Sequence, residues 1–260
     1  MKIIQLNAWG GRLSRQIIKF IEAENPDILC LQEISRSAAQ VGYPEDQMFN
    51  LFGYIEQTGL FSHSFFSPTI EMNIADGTVE FGNAIFSKFP LSQTQTVFID
   101  GSDVVRNFTQ VENQAAGNNP ARNAQLAILQ INEKQQLALV NQHFHWALNP
   151  LGDQTSEHKM QEFAQHVKNF APTSLPLLVC GDFNLKAESP AMQIFNGWLE
   201  NLTARTGVAS TLSGLKYPAQ EVQVACDYVF ANDKITVNQV EVKNVIISDH
   251  LPVVVEFDLS

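Results

Sequence analysis

The sequence is short of positive charge: 16 lysines and arginines stand against 27 aspartates and glutamates, a formal net charge of −11. A surface of that sign repels polyanions on average, and the basic stripe of a dedicated nucleic-acid binder is missing. This argues against tight nonspecific DNA binding but not against phosphate chemistry, because a bound divalent cation or a local group of basic residues reverses the field where it acts. Long apolar runs are also lacking. The longest, residues 175–180 and 251–255, fall far short of the roughly 18 residues that cross a bilayer. The opening MKIIQLNAWGG reads as a short apolar strand and not as a secretory leader. A soluble protein with no membrane insertion is expected. There are only three cysteines, Cys30, Cys180 and Cys226, none in close CxxC spacing and each in or beside an apolar run. They read as buried free thiols, which fits a reducing compartment and a cytoplasmic location. Low-complexity stretches and repeats of fixed period are absent, so all 260 residues are expected to fold, by default as one domain.

What is present is a series of short apolar runs. Residues 2–6 form one that ends near the turn-like Gly10-Gly11, after which Ile17, Ile18, Phe20 and Ile21 recur at helical spacing until Asn25-Pro26. Residues 28–31 are continuously apolar over strand length, as in a strand covered on both faces. Further strands are expected at 83–86, 125–130, 136–142, 176–180, 227–230, 237–242 and 251–258, and helices over 155–170 and 191–199. Many short strands with a few helices imply an α/β (α+β) architecture of two stacked sheets flanked by helices. Residues 98–120, rich in Asn, Gln and Gly without periodicity, read as a loop longer than the roughly 12–15 residues usual for a structureless connection. A functional loop and a tolerated surface insertion fit it equally.

A polar residue recurs where an apolar run ends: Asn7 after 2–6, Glu33 after 28–31, His143 after 137–140, Asp182 and Asn184 after 177–180. Strand ends are rigid platforms, and polar groups gathered at one sheet edge can converge. Taken alone, Asn7 beside Ala-Trp-Gly-Gly is a turn residue. Glu33 is a stronger candidate, since a carboxylate following Asp-Ile-Leu-Cys-Leu-Gln is costly to desolvate unless it meets a cation or several donors, and hard oxygens are what Mg²⁺ or Ca²⁺ requires. In Cys180-Gly181-Asp182-Phe183-Asn184, strand alternation would point Asp182 and Asn184 the same way. An Asp there can deprotonate or orient a water and an Asn can hydrogen-bond a phosphoryl oxygen, while an Asx-turn explains the segment equally well. Asp249-His250 has the form of a carboxylate fixing an imidazole or holding a cation. Asp227, among apolar neighbours, calls for a partner such as a histidine, or for a buried salt bridge.

The ordered set Asn7, Gln32-Glu33, His143, Gly181-Asp182-Phe183-Asn184, Asp227 and Ser248-Asp249-His250 resembles the endonuclease/exonuclease/phosphatase superfamily over nearly the whole chain. Residues 82–90, GNAIFSKFP, resemble its central strand. The resemblance implies a DNase I-like, four-layered α/β sandwich of two packed mixed β-sheets flanked by helices. It also implies a single-step attack of water on phosphorus aided by a divalent metal, usually Mg²⁺, with Mn²⁺ as an alternative. By similarity, Asn7 and Glu33 hold the metal, with Asp249 helping there or at its neighbouring histidine. Asp182 and Asn184 position the nucleophile, Asp227 orients His250, and His143 binds the phosphate or stabilises the pentacovalent transition state, with the proton going to either Asp182 or His250. Asn141-Gln142-His143-Phe144-His145-Trp146 departs from the family run, so His145 and Trp146 are extra and either contact substrate or merely pack. Arg122 is a phosphate clamp by analogy, or a salt-bridged surface residue. The implied partner is a phosphoester substrate, nucleic acid included. A small or single-stranded phosphodiester is preferred over a nonspecific endonuclease substrate or a small phosphomonoester. An inactive binding protein on the same fold is the alternative of another class, and a monomer is expected.

Overall fold

The computed structural model describes residues 1–37, 50–74, 77–106, 120–215 and 224–260. A seven-stranded sheet is built from β12 (Ile235–Val242), β13 (Val253–Leu259), β1 (Lys2–Asn7), β2 (Ile28–Ser37), β4 (Gly77–Ser87), β3 (His63–Ile74) and β6 (Val105–Arg106), in that spatial order. A six-stranded sheet follows the order β10 (Glu200–Asn201), β11 (Asp227–Ala231), β9 (Leu177–Asp182), β8 (Gln136–His143), β7 (Arg122–Gln130) and β5 (Leu91–Asp100). Both are mixed: β1 runs parallel to β2, and β8 parallel to β9, within otherwise largely antiparallel sheets.

Period-two alternation sorts the strand residues into layers. Ile3 of β1 joins Ile28, Cys30, Leu139, Leu178 and Cys180 between the sheets. Ile4 and Leu6 face the other way, against α1 (Ser14–Glu24) and α2 (Leu51–Gln57). On the far side, Val140, Val179 and Tyr228 pack against Met160, Phe163 and Val167 of α3 (Gln154–Phe170). Three apolar seams therefore separate four layers. None of the described helices is long and apolar enough to cross a membrane.

Several elements differ from the sequence expectations. Residues 98–100 complete β5 and 105–106 form β6, so the expected loop begins as strand. Val97 and Ile99 alternate inward there and supply the apolar face. Residues 101–104 are bend and loop between the two strands, and residues 107–119 lie outside the described residues. The expected helix over 191–199 is a short 3-10 turn, Met192–Phe195. Pro190 precedes it, and Gly197 follows in a left-handed conformation with φ 84°, which stops propagation.

Candidate active site

The topology explains why the polar residues meet. Parallel β1 and β2 bring Asn7 level with Gln32, and parallel β8 and β9 bring His143 level with Asp182. Antiparallel β11 starts where β9 ends, with Asp227 opposite Asp182. Antiparallel β7 likewise places Arg122 at the same edge. His250 sits just before β13, which runs antiparallel to β1. On each inner face the alternation then changes chemistry along the strand, from Ile3 to Gln5 and Asn7, from Leu139 to Asn141 and His143, and from Cys180 to Asp182.

These inner amides are linked through the middle of the molecule. Gln5 Nε2 donates to Asp227 Oδ1 at 3.0 Å and to Gln32 Oε1 at 2.9 Å. Gln32 Nε2 donates to Asn141 Oδ1 at 2.6 Å, and Asn141 Nδ2 donates to Gln125 Oε1 at 2.9 Å. All five residues are buried. Gln5 Oε1 is the one atom of this chain left buried without a partner among the described residues, and the remaining bonds tie the two sheets together at the site.

Asp182 Oδ2 is the point of convergence. Asn7 Nδ2 donates to it at 3.1 Å, His143 Nε2 lies at 3.5 Å and His250 Nε2 at 3.8 Å. Its other oxygen accepts the Asn184 backbone N–H at 2.9 Å. His250 Nδ1 is bound to Asp227 Oδ2 at 2.8 Å, which leaves Nε2 facing Asp182. Asp227 Oδ2 also accepts from Thr211 Oγ1 at 2.6 Å, and that hydroxyl receives the backbone N–H groups of Cys226 and Asp227. Ser248 Oγ donates to the Asn7 carbonyl at 2.7 Å, tying the Asp249-His250 loop to the end of β1. Asp249 is buried beside it and accepts from the same hydroxyl at 3.2 Å.

Three protonation tendencies follow. Burial pushes the His143 imidazole well below its ordinary value, and Arg122 and the cationic His250 push the same way. Burial also opposes charge on His250, but Asp227 and Asp182 override it and hold the imidazole well above its ordinary value. Burial raises the Asp182 carboxyl to about 6, Asp227 adding to the rise while His250, the Asn184 N–H and Asn7 hold it down. Near neutral pH the edge therefore carries a neutral His143, a cationic His250 and an ionised Asp182.

Glu33 occupies a β-bulge in β2, between Leu31 and Ile34, in a left-handed conformation with φ 49°. Left-handed φ is uncommon for a residue with a side chain, and such positions gather at functional sites. The bulge turns the carboxylate, 39% exposed, into a cleft of about 420 Å³ lined also by Trp9, Arg12, Asn83, Arg122 and His143. Trp9 is left-handed too, φ 49°, and its N–H donates to Asn7 Oδ1 at 3.1 Å. Arg12 lies over the Trp9 ring, 4.8 Å from its centroid. Among the described residues neither Arg12 nor Arg122 is paired with a carboxylate.

Asn184 does not point the same way as Asp182, contrary to the expectation from strand alternation, because β9 ends at Asp182 and Asn184 is left-handed, φ 54°. Its Nδ2 donates to the Phe144 carbonyl at 3.0 Å. His145 and Trp146 do not line the cleft. His145 Nδ1 is bound to Asp100 Oδ2 at 2.6 Å, within a cluster completed by Lys159, and Trp146 is 51% exposed on the loop before α3. Gln5, Thr211, Arg12 and Asn83 were not singled out from the sequence. For Gln5 the signal was there, an amide at an inward position of an otherwise apolar strand. A further groove of about 520 Å³, lined by Trp198, Lys168 and Lys234, lies where β9 begins and holds none of this polar set.

The sequence model of the Endonuclease/Exonuclease/phosphatase family matches residues 4–250. The chain belongs to that family. Its members are generally phosphoester hydrolases. Among solved structures, the endonuclease/exonuclease/phosphatase from Beutenbergia cavernae is 18% identical, with all of this chain and 72% of that chain covered, at a TM-score of 0.73. The mannosyl-6-phosphatase Bt3783 of Bacteroides thetaiotaomicron is 13% identical over the full length of both chains, at 0.70. The catalytic domain of human Nocturnin, solved with a bound sulfate anion, is 17% identical, with 100% of this chain and 94% of that chain covered, at 0.68. No match was found among curated protein sequences. At these identities the structural likeness establishes the DNase I-like sandwich.

Proposed function

We propose that this family member is a divalent-metal-dependent hydrolase of small or single-stranded phosphodiesters. The observation that carries the reading is the convergence of Asn7, His143 and His250 on Asp182 Oδ2, within 3.1 to 3.8 Å, beside a cleft that holds two arginines. Asp182, ionised above about pH 6, takes the proton from the attacking water. His250, held cationic by Asp227, stabilises the charge that develops at phosphorus, and neutral His143 donates to a phosphoryl oxygen. Arg122, beside His143 in the cleft, clamps the same phosphate. Asn184, through its backbone N–H, keeps Asp182 in place.

The donors fit a hard cation of the magnesium class. Glu33 is a half-exposed carboxylate turned into the cleft at a strained backbone position, Asn7 Oδ1 is an amide oxygen next to it in the parallel pair, and Asp249 is tied to the same strand end. When bound by Glu33 and Asn7 with Asp249, such a cation supplies neutralising charge to the phosphate oxygens. The two arginines, without carboxylate partners among the described residues, also favour a second reading, a phosphomonoesterase acting on a small phosphorylated molecule, since a monoester dianion offers more charge to bind.

The test is hydrolysis of supercoiled plasmid, single-stranded oligonucleotides, short RNA, a chromogenic phosphodiester and a chromogenic phosphomonoester, with Mg²⁺, Mn²⁺ or EDTA. Turnover is expected to need metal and to fall by roughly 10²–10⁴-fold in Asp182→Asn and His250→Ala while both variants stay folded. Unchanged rates in the two folded variants sink the reading. Monoester turnover without diester turnover transfers it to the phosphomonoesterase.

A further inference from the structure

We propose that Asp182, Cys226 and His250 form a second, thiophilic metal site, one that takes zinc-class ions and switches the edge off when occupied. One ligand atom from each residue lies within 4.8 Å of the others, and all three residues are buried. Tetrahedral zinc, with bonds of about 2.0–2.3 Å, needs its ligand atoms about 3.3–3.7 Å apart. His250 Nε2 and Asp182 Oδ2 already stand at 3.8 Å, and the thiol, within 4.8 Å of its partners, has to move inward by about 1–1.5 Å to complete the triangle.

The surroundings of the imidazole match a ligand. His250 gives its Nδ1 to Asp227 at 2.8 Å, and Asp227 is itself held by Gln5 and Thr211. A carboxylate behind the second ring nitrogen is the usual support of a metal-binding histidine, because it fixes the tautomer and raises the basicity of the coordinating nitrogen. Cys226 Sγ donates to Asp227 Oδ2 at 3.5 Å, the oxygen that also holds His250 Nδ1. Three protein ligands of N, S and O type leave a fourth position open to solvent or an anion.

Thiolate chemistry separates this site from the hard-oxygen group at Glu33 and Asn7. Magnesium has no use for sulfur, whereas zinc-class ions prefer it. Binding releases the thiol proton from Cys226 and the imidazole proton from His250 Nε2, and the incoming charge replaces them among Asp182 and Asp227. The inhibitory consequence rests on the hydrolase reading, because the ion occupies the carboxylate and imidazole that hydrolysis uses. The binding does not rest on it.

Co²⁺ is the probe. Titrated into the full chain with Mg²⁺ in excess, it is expected to bind one to one, with sulfur-to-cobalt charge-transfer absorption in the near ultraviolet and intense visible bands of a tetrahedral ion, which Zn²⁺ then bleaches. Both signals are expected to vanish in Cys226→Ser and Cys226→Ala, each checked for unchanged thermal melting. In the activity assay, Zn²⁺ is expected to inhibit Mg²⁺-supported turnover of the parent and to need a concentration higher by roughly 100-fold in Cys226→Ser, whose turnover without Zn²⁺ stays at the parental level. A cobalt spectrum without sulfur charge transfer, one that survives in folded Cys226→Ser, or equal zinc sensitivity of parent and variant overturns the proposal. If the protein hydrolyses nothing, the cobalt titration still decides the site, so the two failures are distinguishable.

Discussion

Asp182 carries the conflict between stability and chemistry at this edge. Its side chain is buried, and burial together with Asp227 lifts the carboxyl from its ordinary value to about 6, against the opposing pull of His250, the Asn184 N–H and Asn7. A folded-state pKa above the unfolded one means that the native chain binds the extra proton between about pH 4 and about pH 6, so stability falls as pH rises through that window. The cost at neutral pH is roughly 1–3 kcal/mol. In Asp182→Asn the window disappears. The melting temperature of the variant relative to the parent is therefore expected to climb between about pH 4.5 and about pH 7.5, by about 2–4 °C for each kcal/mol. A difference that is flat across that range shows Asp182 to be solvated or already neutralised. The same proton sets the acid limb of kcat/KM, expected to fall off below about pH 6 with an apparent value belonging to the Asp182–His250 pair and not to either residue.

At the scale of elements, the site depends on how closely β8 and β9 approach one another. Gly181 pairs with Gln142, has φ 143°, and a Cβ placed on it would lie 1.9 Å from the Gln142 carbonyl oxygen. Gly181→Ala must push the strands apart where His143 and Asp182 stand level. It is expected to destabilise the fold by about 3 kcal/mol or more and to lower activity in whatever fraction stays folded; a melting temperature within a degree or two of the parent's would show that the pairing yields easily. The polar residues closing apolar runs at Asn7, Glu33, His143 and Asp182 were readable in the sequence because a strand covered on both faces announces its own end, whereas Gly181, a bend residue by sequence, lies within β9 against Gln142. β5 was not readable: five consecutive exposed residues, Ser92 to Thr96, lie on the edge strand of their sheet, and only Val97 and Ile99 face inward. β3 was hidden by Pro68, which the sheet accommodates at a register shift between Pro68 and Ile70. Thr211 left no local trace at all, since its role at Asp227 exists only once two segments 16 residues apart are folded together.

For the whole molecule, the net charge of −11 sets the long-range field and the arginine-bearing cleft sets the short-range one, and the two have opposite signs. Salt separates them. Repulsion between a polyanionic strand and the acidic surface acts over many ångströms and is screened once the Debye length shrinks from about 14 Å to about 7 Å, whereas contacts of Arg12 and Arg122 with one phosphate are short and screened less. A protein that neutralises 6–10 phosphates loses about 10³–10⁵ in affinity between about 50 and about 200 mM salt; with 16 lysines and arginines against 27 aspartates and glutamates, this chain is not expected to show such a slope. Its kcat/KM towards a single-stranded oligonucleotide is therefore expected to stay level or rise over that range, and towards a small chromogenic phosphodiester to change little. A fall of about tenfold or more for the oligonucleotide alone would mean that basic residues beyond the cleft engage the strand, and would shift the substrate reading from a small or short phosphodiester to a long nucleic acid.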